Sequence, residues 1–378
     1  MLVVFASTIF TRAVDPVIPT IAADLAVDVH TAALLSSAFT FPYALMQPLM
    51  GSIADHFGKT RLMTLSLLVV ALSSLVCAVA SGFPVLIAMR VLAGCVAGGL
   101  FPVALALVGD LVPVEQRQVA LGRLLAVGLS GNLLGSTFSG VISDLVGWRG
   151  VFAVFGLVAL AITIIAMAAL RGGVPAKRTP YRLASMFAGF RNVLTDPRAK
   201  VCFGSVFLEG VFIHGLFPYV ALLLPISGGA RASIAGLVIA CFSFGGVAYS
   251  MSVRVLVAKI VQQRLMIIGG TFAAIGLSLV AWDFPWQAQI PIFFVLGFGF
   301  YLLHSCIQVH VTDLSHTARG SATALHSSSL FLGQATGPIF YGFSFAHDAR
   351  TGSILVGALV MLGVGIMCAR LLRHREAA

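Results

Sequence analysis

Charge is scarce in this chain. Asp, Glu, Lys and Arg make up 10% of its 378 residues, against roughly 25% in soluble domains, and that shortfall excludes an ordinary water-soluble enzyme or binding module. Acid is scarcer than base, 13 Asp and Glu facing 23 Lys and Arg. Tryptophan is rare too: Trp148, Trp282 and Trp286 all fall near the outer rim of the pattern described below, which speaks against a sugar site built on stacked aromatics. The six cysteines, at 77, 95, 202, 241, 306 and 368, stand singly. Without CxxC or ligand spacing they give no disulfide framework and no metal site, and they read as small apolar packing residues. HExxH, a nucleotide loop and a recognisable Ser-Lys or Ser-His setting are missing as well, so no enzyme and no metal chemistry is expected.

What the chain has in abundance is hydrocarbon: 59% of residues are hydrophobic and the mean hydropathy is +1.03. Apolar runs of about 20 residues, each enough to cross a core of roughly 30 Å, recur near 2–23, 31–52, 62–80, 83–109, 119–142, 150–170, 201–224, 233–253, 265–282, 288–311, 321–344 and 353–372. The expectation is an all-α membrane protein of twelve transmembrane helices with little soluble mass. The first run has no basic leader region and continues through Arg12 and Asp15 into Pro16 and Pro19, so it is not a cleavable signal. It opens almost at once, and whether the natural start lies farther upstream is open.

A net charge of +10 invites a nucleic-acid partner, but its placement argues against one. If the stretch 51–61 is cytoplasmic, every second loop shares its side. Those loops and the C-terminal tail then hold all the cations except Arg149, Arg231 and Arg350 on the opposite side and Arg12 and Arg90 within spans. Such a bias is the positive-inside rule, with both termini in the cytoplasm.

The longest polar interruption, 171–200, carries seven cations, one acid (Asp196) and three prolines. It divides the chain into expected six-helix bundles at 1–170 and 201–378, joined by a cytoplasmic linker. Its middle, Tyr181 to Leu194, suits either an amphipathic helix on an anionic leaflet or a solvated tether. The halves match at a shift of 203: Arg61-Leu-Met63 recurs as Arg264-Leu-Met266, and Asp110-Leu111 as Asp313-Leu314. At one common offset these matches support duplication.

Ionisable groups inside spans are costly and so invite a functional reading. Arg12 and Asp15, three apart, share a helix face and can neutralise one another, as pure structure or as a proton switch. Arg90, in the fourth span, needs an anion such as Asp15 or several carbonyls. Glu209, early in the seventh, is a candidate proton carrier or a partner for backbone near Gly204 and Gly210. His214, five residues on, lies about 140° round the helix from it. His304 and Gln308 face one way on the tenth span, near His310. His326, Ser327 to Ser329 and Gln334 mark the eleventh, Asn132 the fifth and Gln47 the second. Some of these must line a cavity, since polar groups avoid lipid.

One stretch interrupts the greasy pattern in a telling way. Gly51-Ser-Ile-Ala-Asp55-His-Phe-Gly58-Lys59-Thr-Arg61 must face water as a tight turn, its glycines allowing close packing and an unusual backbone angle. It resembles, at every charged and glycine position, the G-x-x-x-D-x-x-G-[KR]-x-[KR] signature between helices 2 and 3 of the major facilitator superfamily. In the second half the matching positions are Arg254, Ala258 and Val261, so the signature survives once. Arg90 with Gly94 resembles the family's R-x-x-x-G, with Ala93 where antiporters often carry glutamine. Gly128, Gly131, Gly135 and Gly140 resemble the glycine-rich fifth helix of drug antiporters, without its Gly-Pro; Gly337-Pro338 holds that dipeptide in the other half. Gly147-Trp148-Arg149 is similar to an outer-loop feature of that branch, with the tryptophan anchoring a helix end at the interface.

The resemblance implies two pseudo-symmetric bundles rocking around a midplane cavity. It implies a bacterial inner-membrane carrier akin to proton-coupled drug and metabolite efflux permeases, working as a monomer in the bilayer on a small amphipathic molecule. The proton gradient supplies the energy and no cofactor is needed. Uptake of a sugar, organic acid or other metabolite is the alternative, and a non-transporting sensor or channel a remoter one. Arg12, Asp15, Arg90, Glu209, His214, Asn132, His304 and Gln308 are the expected coupling and cavity residues. Gly51, Asp55, Gly58, Lys59, Arg61, Asp110 and Arg117 are the expected cytoplasmic gate, with Asp55 pairing with Arg117.

Overall fold

In hydrocarbon only a closed barrel or a helix satisfies its own backbone groups, so apolar runs of this length fold as helices. The structure, a computed structural model, describes residues 1–169, 183–224, 231–315 and 318–372. Among the described residues every regular element is helical. The spanning helices are α1 (Leu2–Asp24), α2 (Val29–Phe57), α3 (Lys59–Ala78), α4 (Phe83–Leu111), α5 and α6 (114–146 and 148–169, continuous except at Gly147), α7 (Pro197–Leu223), α8 (Ala232–Lys259), α9 (Gln262–Val280), α10 (Trp286–Thr312), α11 (Arg319–Ala346) and α12 (Arg350–Leu371). All twelve expected spans fall on helices.

The packing repeats. In the first half α1 lies on α5, α2 on α4, and α3 on both α4 and α6; in the second α7 lies on α11, α8 on α10, and α9 on both α10 and α12. Adding six to each number turns one set into the other, which is the duplication seen at the level of contacts. The halves meet along α2–α11 and α5–α8. Ser37 Oγ donates to the Ala335 carbonyl and Ser328 Oγ to the Ala44 carbonyl, each at 2.7 Å, and the rings of Tyr43 and Phe331 lie 4.5 Å apart. On α5–α8, Asp144 reaches the first amides of α8. These contacts run from mid-helix to the end of the molecule remote from Gly58. α1 and α7 are largely buried, 78% and 83% over their apolar stretches.

Two expectations about loops change. The stretch 51–61 is helical through Phe57; only Gly58 leaves the helix, at φ 92°, and α3 begins at Lys59. Gly58 is therefore the turn, whereas Gly51 sits in α2 with open space around it and serves no close packing. At the other end of the first half, Trp148 is 4% exposed and so is no lipid-interface anchor. Its Nε1 donates to Asp24 at 3.2 Å, Arg149 stacks over its ring and pairs with the same Asp24, and Arg149 Nη2 reaches the Ala80 carbonyl at 3.2 Å. The cluster closes the ends of α1, α3 and α6 together.

Residues 171–182 of the linker lie outside the described residues. Leu183–Leu194 is a helix whose Val193 is buried, whose Asn192 contacts Ser315 and whose Gly189 lies beside Ser321, while Phe187 and Leu194 are exposed. It is docked on the start of α11.

Candidate functional site

The site is built on two broken helices. α1 is helical to Arg12, passes through Ala13 and Val14, tightens into a short turn at Asp15–Val17 and resumes at Ile18. Pro16 and Pro19 cause the break, since neither can donate to the preceding turn. α7 breaks likewise: helix to Phe212, a tight 3-10 segment at His214–Tyr219 with Pro218 inside, then Val220–Leu223. At the shift of 203, Asp15 matches Pro218, so the breaks are equivalent, and they touch each other across the halves. Side chains donate to carbonyls beside the first break: Ser139 to Ala13, and Arg90 to Phe10.

Arg12 spans the gap. Its Nη1 donates to Asp15 Oδ2 at 3.3 Å, its Nη2 to Gln334 Oε1 on α11 at 3.1 Å, and its guanidinium lies 4.7 Å from the centre of the Phe217 ring on α7. Asp15, 1% exposed, also accepts from Ser36 Oγ at 2.6 Å. The expected Arg12–Asp15 pair is present. Its extension into the other half through Gln334 is new, and a polar side chain on a glycine-rich eleventh span was the only clue to it.

Arg90 is 3% exposed and takes the carbonyl alternative: Nε donates to Leu35 at 3.2 Å and Nη1 to Phe10 at 3.4 Å, with Phe39 beneath at 4.2 Å. It ties α4 to α1 and α2.

The second half holds a separate acid–base cluster. Glu209 is fully buried, and its Oε2 lies 2.7 Å from His304 Nδ1 on α10. Its other oxygen has no hydrogen-bond partner, so the backbone-repair reading near Gly204 and Gly210 finds no bond to support it. His304 stacks on Phe300, with ring centres 4.9 Å apart, and its ring centre is 4.8 Å from that of His326 on α11. His214 sits apart from the Glu209 carboxylate, as its 140° offset implies, packed against Phe217, Phe242 and Phe300. Both nevertheless converge on α10. Gln308, a turn beyond His304, is exposed; Asn132 is half-buried on α5 with its Oδ1 unbonded. His326 belongs to the cluster although the spacing of α11 residues alone could not say so.

At the Gly58 end, Lys59 Nζ pairs with Asp110 Oδ2 at 2.6 Å, joining α3 to α4. Arg117, in the first turn of α5, donates to the Val112 carbonyl just past α4 at 3.4 Å. Arg61 is exposed. The Asp55 side chain lies outside the described residues, and its expected pairing with Arg117 with it.

Comparison with known proteins agrees with this geometry. A 155-residue stretch is 34% identical to the MFS-type transporter Rv1250 of Mycobacterium tuberculosis, covering 39% of this chain but only 27% of that longer protein. Over 375 residues the chain is 28% identical to a chloramphenicol resistance protein of Streptomyces lividans, spanning 93% of this chain and 89% of the relative. Over 365 residues it is 24% identical to the quinolone resistance protein NorA of Staphylococcus aureus, with 94% and 89% covered. A sequence model described as Major Facilitator Superfamily matches residues 1–338. The twelve spanning helices among the described residues are thus those of a multi-pass membrane transporter for small molecules, and the chain belongs to the Major Facilitator Superfamily.

Proposed function

We propose that this transporter is a proton-coupled antiporter that exports a small amphipathic molecule across the bacterial inner membrane. It works as a monomer, with the proton gradient as its energy source and no cofactor. Its moving bodies are the halves 1–170 and 201–378, joined by the linker 171–200. The basic Gly58 end faces the cytoplasm, with both termini. The halves touch from mid-helix to the opposite end, so the state described is closed to the outside.

The observation that carries the proposal is the Glu209–His304 contact. Two groups that exchange protons lie 2.7 Å apart, Glu209 fully buried and His304 mostly so, with one carboxylate oxygen unbonded. An ionisable pair inside a membrane bundle is a functional-site candidate by default, and proton relay is one of the uses such pairs serve. Arg12 supplies the link between halves: a proton on Asp15 removes the charge that holds Arg12 in the first half, while its bond to Gln334 remains. The aromatic cluster of Phe217, Phe242, Phe300 and Tyr301 near His304 favours an aromatic, amphipathic cargo. The resistance proteins among the relatives favour export over uptake.

Proteoliposomes with an imposed pH gradient, screened with a panel of drugs and metabolites, test this. The expected result is gradient-driven export by the parent, loss of that drive in Glu209→Gln, and retained solute counterflow in the same variant. Export by Glu209→Gln at the parent rate and with the parent pH profile would remove Glu209 as the proton site. A parent that moves no solute under any gradient would remove proton antiport.

A further inference from the structure

α8 begins without a cap of its own. Its N-cap residue is Arg231, whose side chain makes no capping bond. The open amides find their acceptor in the other half: Asp144 of α5 accepts from the Ala232 amide through Oδ1 at 3.0 Å and from the Ser233 amide through Oδ2 at 3.1 Å. An acid at a helix N-terminus satisfies unpaired amides and favours the positive end of the helix dipole. One turn from Asp144, the α-carbon of Gly140 lies against the Ala232 backbone, and Gly236 of α8 lies against Ser136; a Cβ at either would run into a carbonyl oxygen. The two helices therefore touch backbone to backbone where the carboxylate reaches across.

The matching helix of the first half is capped differently. α2 carries its own cap, Asp28, which accepts from the amides of His30 and Thr31 at 2.8 and 3.2 Å. At the shift of 203, Asp28 matches Arg231 and Asp144 matches His347. The second copy has lost its local acid, and an acid of the first half, with no acidic counterpart, takes the same role from outside. A cap supplied within one half survives any separation of the halves. A cap supplied across them does not.

We propose that Asp144 is a latch that holds the transporter closed at the end remote from Gly58, by capping α8 only while the halves are in contact there. The inference rests on the rocking reading above. Asp144 is exposed, so both partners rehydrate on separation and the latch is worth no more than an ordinary helix cap. Its removal should raise the population open at that end about twofold to thirtyfold, the range spanned by N-cap replacements.

Double electron–electron resonance in lipid nanodiscs measures that population. Labels at Val79→Cys and Trp282→Cys, placed in a background with the six native cysteines replaced, sit in loops of opposite halves at this end and are 81% and 58% exposed. Asp144→Ala should enlarge the long-distance fraction within the stated range, and Asp144→Asn, which keeps one acceptor oxygen, by less. Equal distance distributions in parent, Ala and Asn proteins overturn the latch, and Asn guards against a folding defect in Ala. The rocking reading is judged separately, on the parent alone: its distribution should shift between acidic and neutral buffer. If it never shifts while Asp144→Ala still opens, the latch stands and proton-driven rocking falls.

Discussion

Arg90 separates two ideas about buried charge at the scale of a single residue. Its planar fork reaches two carbonyls on two different helices while its face lies on Phe39, and no carboxylate is among its hydrogen-bond partners. Lysine would keep the positive charge but lose the fork and the stacking. Arg90→Lys is therefore expected to cost about 1.5–3 kcal/mol of stability, the scale of a lost hydrogen bond to a charged group. Thermal unfolding in detergent should register that loss, while the pH profile of transport by the surviving protein stays in place. A moved pH profile with unchanged stability would return Arg90 to the coupling machinery. The sequence already held the Arg12–Asp15 pair, because three residues along a helix is a contact. It did not hold the Arg12–Gln334 bond or the Glu209–His304 contact, whose partners are 322 and 95 residues apart, since helical spacing says nothing about which helices meet.

Elements were legible where hydropathy or proline dictated them, and less so at their joints. The spans near 119–142 and 150–170 leave seven residues for a loop, yet the structure leaves the helix only at Gly147, with φ 79° and ψ 170°. Polar residues at a helix end need not leave the helix when water and neighbouring main-chain amides receive them, and Asp144 is placed in this way. Gly147 has nothing within 4 Å of where a Cβ would stand, so a substitution there meets strain and no clash. Gly147→Ala should cost about 1–3 kcal/mol through backbone conformation alone. A lowered melting temperature, with normal membrane insertion, is the expected reading; an unchanged melting temperature would mean that the chain turns here by another path. The breaks in α1 and α7 were half visible, since Pro16, Pro19 and Pro218 mark where a helix must yield. That the two breaks face each other was not legible, because it depends on which helices meet.

For the whole molecule, the contacts between halves decide which state is described and what must change. Ser37 of α2 bonds the main chain at Ala335 of α11, so cysteines at the two positions should form a disulfide upon oxidation. Ser37→Cys with Ala335→Cys, in the background lacking native cysteines, should stop transport when oxidised and recover with dithiothreitol; full-rate transport by the cross-linked protein would show that this seam need not part. The twelve-helix count and the duplication were open to sequence reading because hydrocarbon permits few solutions. The seam was not, since its hydrogen bonds join single side chains to main-chain groups of the other half, which carry no pattern. One joint remains, the single residue between α2 and α3. A link of one residue has no slack, and just past it Lys59 is fastened to Asp110 of α4. A movement of α2 at its seam with α11 should therefore carry α3 and α4 with it, like the arms of one crank.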